Sequence, residues 1–523
     1  MLPSSARREG LLLQLKPSRL LTISLVCVLG FAAPRLHGQA GNGPDNQARP
    51  SYLVVTTPSS ATAGTPFSVT VEALNGNSQP ALFAGPVVFT STDPAAVLPY
   101  FTTIALTTWT NGAATFSITL NTPGAQTVTA YFPLDTYGSP LITGNSGDVA
   151  VAAGVPSTLS FTVQPSSQSI SSGSTVVFNA NASGSPSPSY QWCYNGSALA
   201  NGGGVSGVTG PTLVINAATS ANAGSYYCVA TNTSASLQSN TATLSLTTTT
   251  NIGRLINISC RAQVGTGANI LIAGFVVGGA GTSGTESLLL RGSGPALIPF
   301  GVTGTLPDPQ LQLNSGSTSL ATNDGWAGNA TIASTAAAVG AFTWTNSSSH
   351  DAALFETLDG AYTAQIAGQS GDTGVALAEV YDATPEGTYT LTTPRLINIS
   401  SRAQVGTGGN ILIAGFVVGG TTSETVLIRA SGPALVPFGV TGVLPDPELQ
   451  LFSGSTLVAS NTGWGGNAQI VSIAASVGAF SWGSSATADS ALIVTLAPGA
   501  YTAQMSGASG DTGVALVEVY EVP

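Results

Sequence analysis

The feature that most constrains this chain is that a quarter of it occurs twice. RLINISCRAQVGTGANILIAGFVVGG begins at Arg254, and RLINISSRAQVGTGGNILIAGFVVGG begins at Arg395. The copies stay in step to their ends: SGPALIPFGVTGTLPDPQLQL from Ser293 returns from Ser431 as SGPALVPFGVTGVLPDPELQL, and GDTGVALAEVY from Gly371 returns from Gly510 as GDTGVALVEVY. A period of roughly 140 residues is far longer than a solenoid repeat, so whole domains were duplicated. Residues that both copies keep can therefore be separated from those that drifted.

The patterning throughout is that of short strands. In FSVTVEAL, Phe67, Val69, Val71 and Ala73 fall on one face and Ser68, Thr70 and Glu72 on the other, the two-residue period of a half-buried strand. In the duplicated modules, NILIAGFVV reads as a strand buried on both faces. It is followed by LLLR or VLIR, LQL, AFTW or AFSW, DGAYTAQ or PGAYTAQ, and ALAEVY or ALVEVY, all separated by Gly or Pro. No segment combines helical periodicity with helix caps. The expected fold is all-β: four tandem β-sandwich domains, two immunoglobulin-like and then two duplicated, jelly-roll-like modules. Their boundaries are 51–152, 156–247, 254–383 and 395–522, after a signal peptide at 1–40.

Residues 51–152 carry an NG-x-A-T-F strand at Asn111-Gly112 and a PGA-x-T-V-T-A strand from Pro123. In this they resemble bacterial immunoglobulin-like domains. Residues 156–247 resemble an immunoglobulin domain more closely: Trp192 matches the core tryptophan of strand C, Tyr226 the tyrosine corner, and Cys228 the strand F cysteine. Ala180 stands where the partner cysteine of strand B belongs, and Cys193 points away from Cys228, so no inter-sheet disulfide is expected. The duplicated modules, with RAQVGTG, LIAGFV, SGPAL, FGVTG and GVALVEVY, are similar to a β-rich domain found near the C-termini of secreted bacterial proteins beside immunoglobulin-like domains. That resemblance brings no activity with it.

The first forty residues carry Arg7, Arg8, Lys16 and Arg19, then the apolar run Leu20–Ala33, then Gly38-Gln39-Ala40 ahead of a cut after Ala40. This is the pattern of a secretory signal peptide, too short in its apolar part for a lasting membrane span. The mature chain would be secreted or held at the cell surface, with no membrane insertion after processing. It keeps 7 basic against 22 acidic residues, a balance that repels nucleic acid.

The residue types the chain lacks narrow the chemistry open to it. The mature chain has a single histidine, His350, replaced by Ala488 in the second module, and no lysine. Histidine triads, multi-histidine metal sites and Schiff-base chemistry therefore lack their residues, and no catalytic, cofactor or metal residue is assigned. A carboxylate pair of the glycosidase kind survives the subtraction, since Asp308, Asp351, Asp372 and Glu379 recur as Asp446, Asp489, Asp511 and Glu518. Three matched arginine pairs, Arg254/Arg395, Arg261/Arg402 and Arg291/Arg429, are expected to close ion pairs with such acids. Trp344 and Trp482 read as core. Trp326 in Gly-Trp-Ala-Gly and Trp464 in Gly-Trp-Gly-Gly are the tentative ligand contacts, as indoles that plug the sandwich or stack on a sugar.

The function expected is that of a non-enzymatic surface or extracellular protein, in adhesion or as a structural spacer presenting its C-terminal modules. The alternative is a carbohydrate-binding protein using loops of those modules. Glycans or surface proteins are the expected partners.

Overall fold

The computed structural model describes residues 50–81, 85–99, 102–104, 112–132, 142–152, 157–385, 387–483 and 487–523. The signal peptide expected at 1–40 lies outside them. The described chain is built of strands, with two α-helices of nine residues each.

In the first domain, Pro66–Leu74 pairs antiparallel with Tyr52–Thr56 on one side and Ala113–Thr119 on the other. Val69, Val71 and Ala73 are fully buried while Ser68 and Glu72 face solvent, as the alternation requires. In the second domain, Ser189–Tyr194 pairs with Gly224–Thr231 so that Trp192 lies opposite Cys228 and Cys193 opposite Tyr227. Trp192, Phe178, Tyr226 and Cys228 meet in one core, with Ala180 among them. The Tyr226 hydroxyl donates to the Asn222 carbonyl at 2.6 Å, closing the tyrosine corner. Cys193, Cys228 and Cys260 are free and buried. Burial pushes the Cys228 thiol up to about 11 and the Cys260 thiol up to about 12, which keeps both protonated and unreactive.

The duplicated modules are each a sandwich of two four-stranded layers, but they do not stand apart. In the first copy one layer holds Ala352–Leu358, Glu286–Ser293, Gly374–Asp382 and Arg254–Val264. Its last strand pairs with Leu412–Gly419 of the second copy, and that layer runs on through Gly499–Gly507, Pro447–Ser453 and Thr456–Asn461. The opposite layers join in the same way, Leu271–Gly278 of the first copy pairing with Arg395–Val405 of the second. The registers match across a local two-fold: Arg254 faces Gly419, and Arg395 faces Gly278. An unpaired edge strand is a liability, and here each copy covers one edge of each layer of the other. One hydrophobic core consequently runs through both, from Leu271 and Phe275 to Phe416 and Met505.

The second domain precedes the first copy in sequence yet packs on the second. Val177 N donates to Thr495 Oγ1 at 2.7 Å, Asn179 Nδ2 to the Ile493 carbonyl at 2.9 Å, and Thr425 Oγ1 to the Thr175 carbonyl at 2.6 Å. Val177 and Val214 join the outer core of the second copy. Ile493 is only 5% exposed under this domain, whereas Phe355, its counterpart in the first copy, is 40% exposed.

The helices were not foreseen. α1 (Ala330–Ala338) and α2 (Ala468–Ser476) carry no charged residue and little amphipathic contrast, which hid them. Each is nonetheless capped: the Asn329 side chain accepts from Thr331 N and Ile332 N, and the Asn467 side chain from Gln469 N and Ile470 N. AFTW and AFSW, read as strands, are extended segments without sheet partners that lie near these helices.

The seam between the copies gathers charge. Arg254 Nε lies 3.8 Å from Asp382, and Arg395 Nε donates to Glu521 Oε1 at 2.6 Å. Asp382 and Glu521 are thus the partners of the first arginine pair, not the acids expected from the sequence. The Arg254 guanidinium also stacks on Tyr389 of the connecting segment. Glu286 is buried beside them, next to the Asp382 carboxyl. Burial, and then the Asp382 carboxylate, push its pKa up to about 10 against the pull of Arg254 and Arg395.

The stability consequence has a definite sign. Between about pH 4.5 and pH 10 the unfolded chain ionises Glu286 while the folded chain holds its proton. The contribution of this group is therefore complete below pH 4.5 and falls as pH rises, by at most about 1.4 kcal/mol per pH unit. Glu286→Gln should leave the unfolding temperature unchanged at pH 4 and raise stability at pH 8 by a few kcal/mol, with a ceiling of about 5 kcal/mol. Thermal unfolding of both proteins across that range checks it; equal stability at pH 8 would refute an ionisable burden at this position.

Candidate functional site

The two tryptophan pairs define matched clusters on the outer face of each copy. Trp326 follows the strand Thr318–Asn323, whose Asn323 side chain accepts from Gly325 N and Ala353 N, fixing the turn that carries the indole. The ring lies edge-to-face on Trp344, centroids 5.5 Å apart; Trp464 meets Trp482 in the same way at 5.1 Å. Trp326 is 7% exposed and Trp464 6%. Trp326 Nε1 donates to the Asn346 carbonyl at 3.1 Å and Trp464 Nε1 to Thr487 Oγ1 at 3.1 Å, so both indoles are held inside the protein. In each pair the edge of one ring meets the face of the other, and both indoles are almost wholly enclosed.

Beneath each pair sits an arginine. Arg291 Cζ lies 4.3 Å from the Phe342 centroid and 4.2 Å from that of Trp344, and its Nε is 3.4 Å from Glu379 Oε2. Arg429 repeats this between Phe480 and Trp482, 3.5 Å from Glu518. Tyr381 and Tyr520 donate to these glutamates at 2.6 Å. Burial raises the pKa of both carboxyls, with the arginines opposing. This is a cation sandwiched between rings with its counter-ion behind it, which fits a packed core better than an open site.

Asp351 and Asp489 hold backbone in place, and burial together with the neighbouring Asp511 raises the Asp446 pKa. Asp351 Oδ1 accepts from Gly294 N at 2.7 Å and from Ala296 N, and Asp489 does the same for Gly432 N and Ala434 N. These bonds pin the single-turn helices at Pro295–Phe300 and Pro433–Phe438. Asp308 lies 3.2 Å from His350 Nδ1, and Asp446 accepts from Ser509 Oγ at 2.9 Å. The Asp324 carboxylate accepts from Gln369 at 2.6 Å. Among the described residues no three His, Cys, Asp or Glu side chains gather as metal ligands.

A cavity opens beside the Trp464 cluster. A cleft of about 630 Å3 separates the second domain from the second copy, with Thr162, Gln164, Asn181 and Thr212 on one wall and Leu457, Ser460, Trp464 and Asn467 on the other. It contains no charged side chain. Sequence reasoning found Trp464 here but not the opposite wall, because only the docking of one domain on the other makes the cleft.

Residues 160–232 match the immunoglobulin domain family. This stretch spans Trp192, the tyrosine corner and Cys228. No curated protein matches the chain. Solved structures that resemble it include a chimeric titin Z1Z2 carrying a peptide from decorin, at 17% identity over 38% of this chain and 95% of that one, TM-score 0.21. The N-terminal Ig1-2 module of the Drosophila receptor protein tyrosine phosphatase DLAR has 15% identity over 38% of this chain and 100% of that one, TM-score 0.17. The titin M3 domain has 26% identity over 17% and 97%, TM-score 0.16. An immunoglobulin domain within a run of β-sandwiches is the make-up of a modular binding or structural protein, in which function resides in surfaces.

Proposed function

We propose that this protein is exported and acts without catalysis at the cell surface or in the extracellular matrix, as an adhesive or spacer that presents its C-terminal module pair. The observation that supports this reading best is the continuous pairing of the two copies through both layers. It makes one stiff body out of what tandem duplication alone would leave as two beads on a linker. The immunoglobulin domain clamps onto its far half. Force applied along the chain would reach this body through antiparallel ladders and a buried seam.

The reading predicts two outcomes. Full-length protein expressed in a secreting bacterium should appear outside the cytoplasm with a mass beginning at Gly41. Beads coated with that mature protein should stay on host-cell or matrix-coated surfaces under flow several times longer than albumin-coated beads. Retention equal to albumin would remove adhesion, and an uncleaved cytoplasmic product would remove export.

A second reading is favoured by one observation. The charge-free cleft beside Trp464 supports carbohydrate binding, in which the protein would hold a glycan through neutral side chains.

A further inference from the structure

We infer that the cleft between the immunoglobulin domain and the second copy is a single composite site for an uncharged oligosaccharide. The inference rests on the carbohydrate-binding reading and narrows it to one place and one ligand class.

The polar groups of the cleft divide into two sets. Asn179 and Asn461 are consumed in holding the walls: Asn179 donates to the Ile493 carbonyl and accepts from Thr212, and Asn461 accepts from Gly463 N and Ala491 N. Gln164, Asn181 and Asn467 use only their oxygens. Gln164 Oε1 accepts from Asn240 N, Asn181 Oδ1 from the Tyr190 hydroxyl, and Asn467 Oδ1 from the first turn of α2. Their three NH2 groups remain for an acceptor outside the protein, and the exposed Ser460 lines the same cleft. Neutral donors beside apolar surface from Leu457, Ile470 and Trp464 suit a molecule with hydroxyl rims and C–H faces. A charged ligand would enter a cleft without a counter-charge and lose its hydration for nothing. At about 630 Å3 the space admits a short oligosaccharide rather than one ring.

The site is single because the wall is single. The first copy carries the matched strand Thr318–Asn323, but among the described residues the second domain's contacts go to the second copy, and Phe355 stays exposed.

Calorimetric titration of the mature chain with cellotetraose, xylotetraose and mannotetraose, and with tetragalacturonate as the charged comparison, tests this. At least one neutral tetrasaccharide should bind and tetragalacturonate should not. Ser460→Trp, which fills the cleft from an exposed position, should weaken binding at least about tenfold. Gln164→Ala, which removes one donor, should weaken it about threefold or more. Thr322→Trp, the matched position in the first copy, should leave it unchanged. Binding that survives both cleft variants places the glycan elsewhere and overturns this inference while the broader reading stands. Preference for tetragalacturonate overturns the ligand class. Titrations in which no tetrasaccharide binds bring down both.

Discussion

Phe275→Ala should lower the unfolding transition of both C-terminal copies together, by about 3–5 kcal/mol. Phe275 is 1% exposed, packs on Tyr362 with ring centroids 5.8 Å apart, and lies on the seam strand opposite Ile399 of the other copy. Truncation removes apolar contact from a core that spans both copies, and the close-packed neighbours refill such a void only in part. Differential scanning calorimetry would show one transition for residues 254–522 in the parent and one, at lower temperature, in the variant. If the copies were independent, half of that heat would move and half would stay. Such a split would contradict the shared core.

Arg429→Ala should be equally costly, by about 3–5 kcal/mol, because it leaves Glu518 buried without its counter-ion. The guanidinium lies 4.4 Å from Phe480 and 4.3 Å from Trp482, so the change also opens the stacked layer under Trp464. Burial already raises the Glu518 pKa while Arg429 opposes it; removing the arginine raises it further. A raised carboxyl pKa means stability is lost as pH climbs above the unfolded value. The loss in unfolding temperature should therefore be larger at pH 8 than at pH 4.5. Adding Glu518→Gln to Arg429→Ala should recover part of the loss at pH 8 and little at pH 4.5. A pH-independent loss, unrelieved by the second change, would mean that the arginine acts through packing alone.

The second domain shows how much a sequence can carry. Trp192, Tyr226 and Cys228 sit where the resemblance to an immunoglobulin domain puts them, because strand period and corner geometry are local matters. The first and third arginine pairs were less legible as a set. Glu379 and Glu518 do pair with Arg291 and Arg429, whereas Arg254 and Arg395 take Asp382 and Glu521. Asp382 and Glu521 are different acids at matched positions, so a comparison that sought identical residues passed over them. Helices α1 and α2 were missed because alanine, serine and threonine give no apolar stripe, although Asn329 and Asn467 carried the cap signal.

The cleft was illegible for a different reason. Its two walls are about three hundred residues apart in sequence, and neither is marked as a site by its own composition.

One octapeptide separates the two kinds of information. LIAGFVVG occurs letter for letter at Leu271–Gly278 and Leu412–Gly419, and in both places it is a strand of the same register. Its short unbroken apolar run, β-branched residues and closing glycines were enough to determine that much, since they act over neighbouring residues. In the first copy every residue but the last is buried, while in the second, burial alternates along the strand. Only the tertiary structure decided that difference, as it decided the seam and the cleft. What covers the outer face of a strand comes from distant parts of the chain, and their approach depends on how whole layers dock.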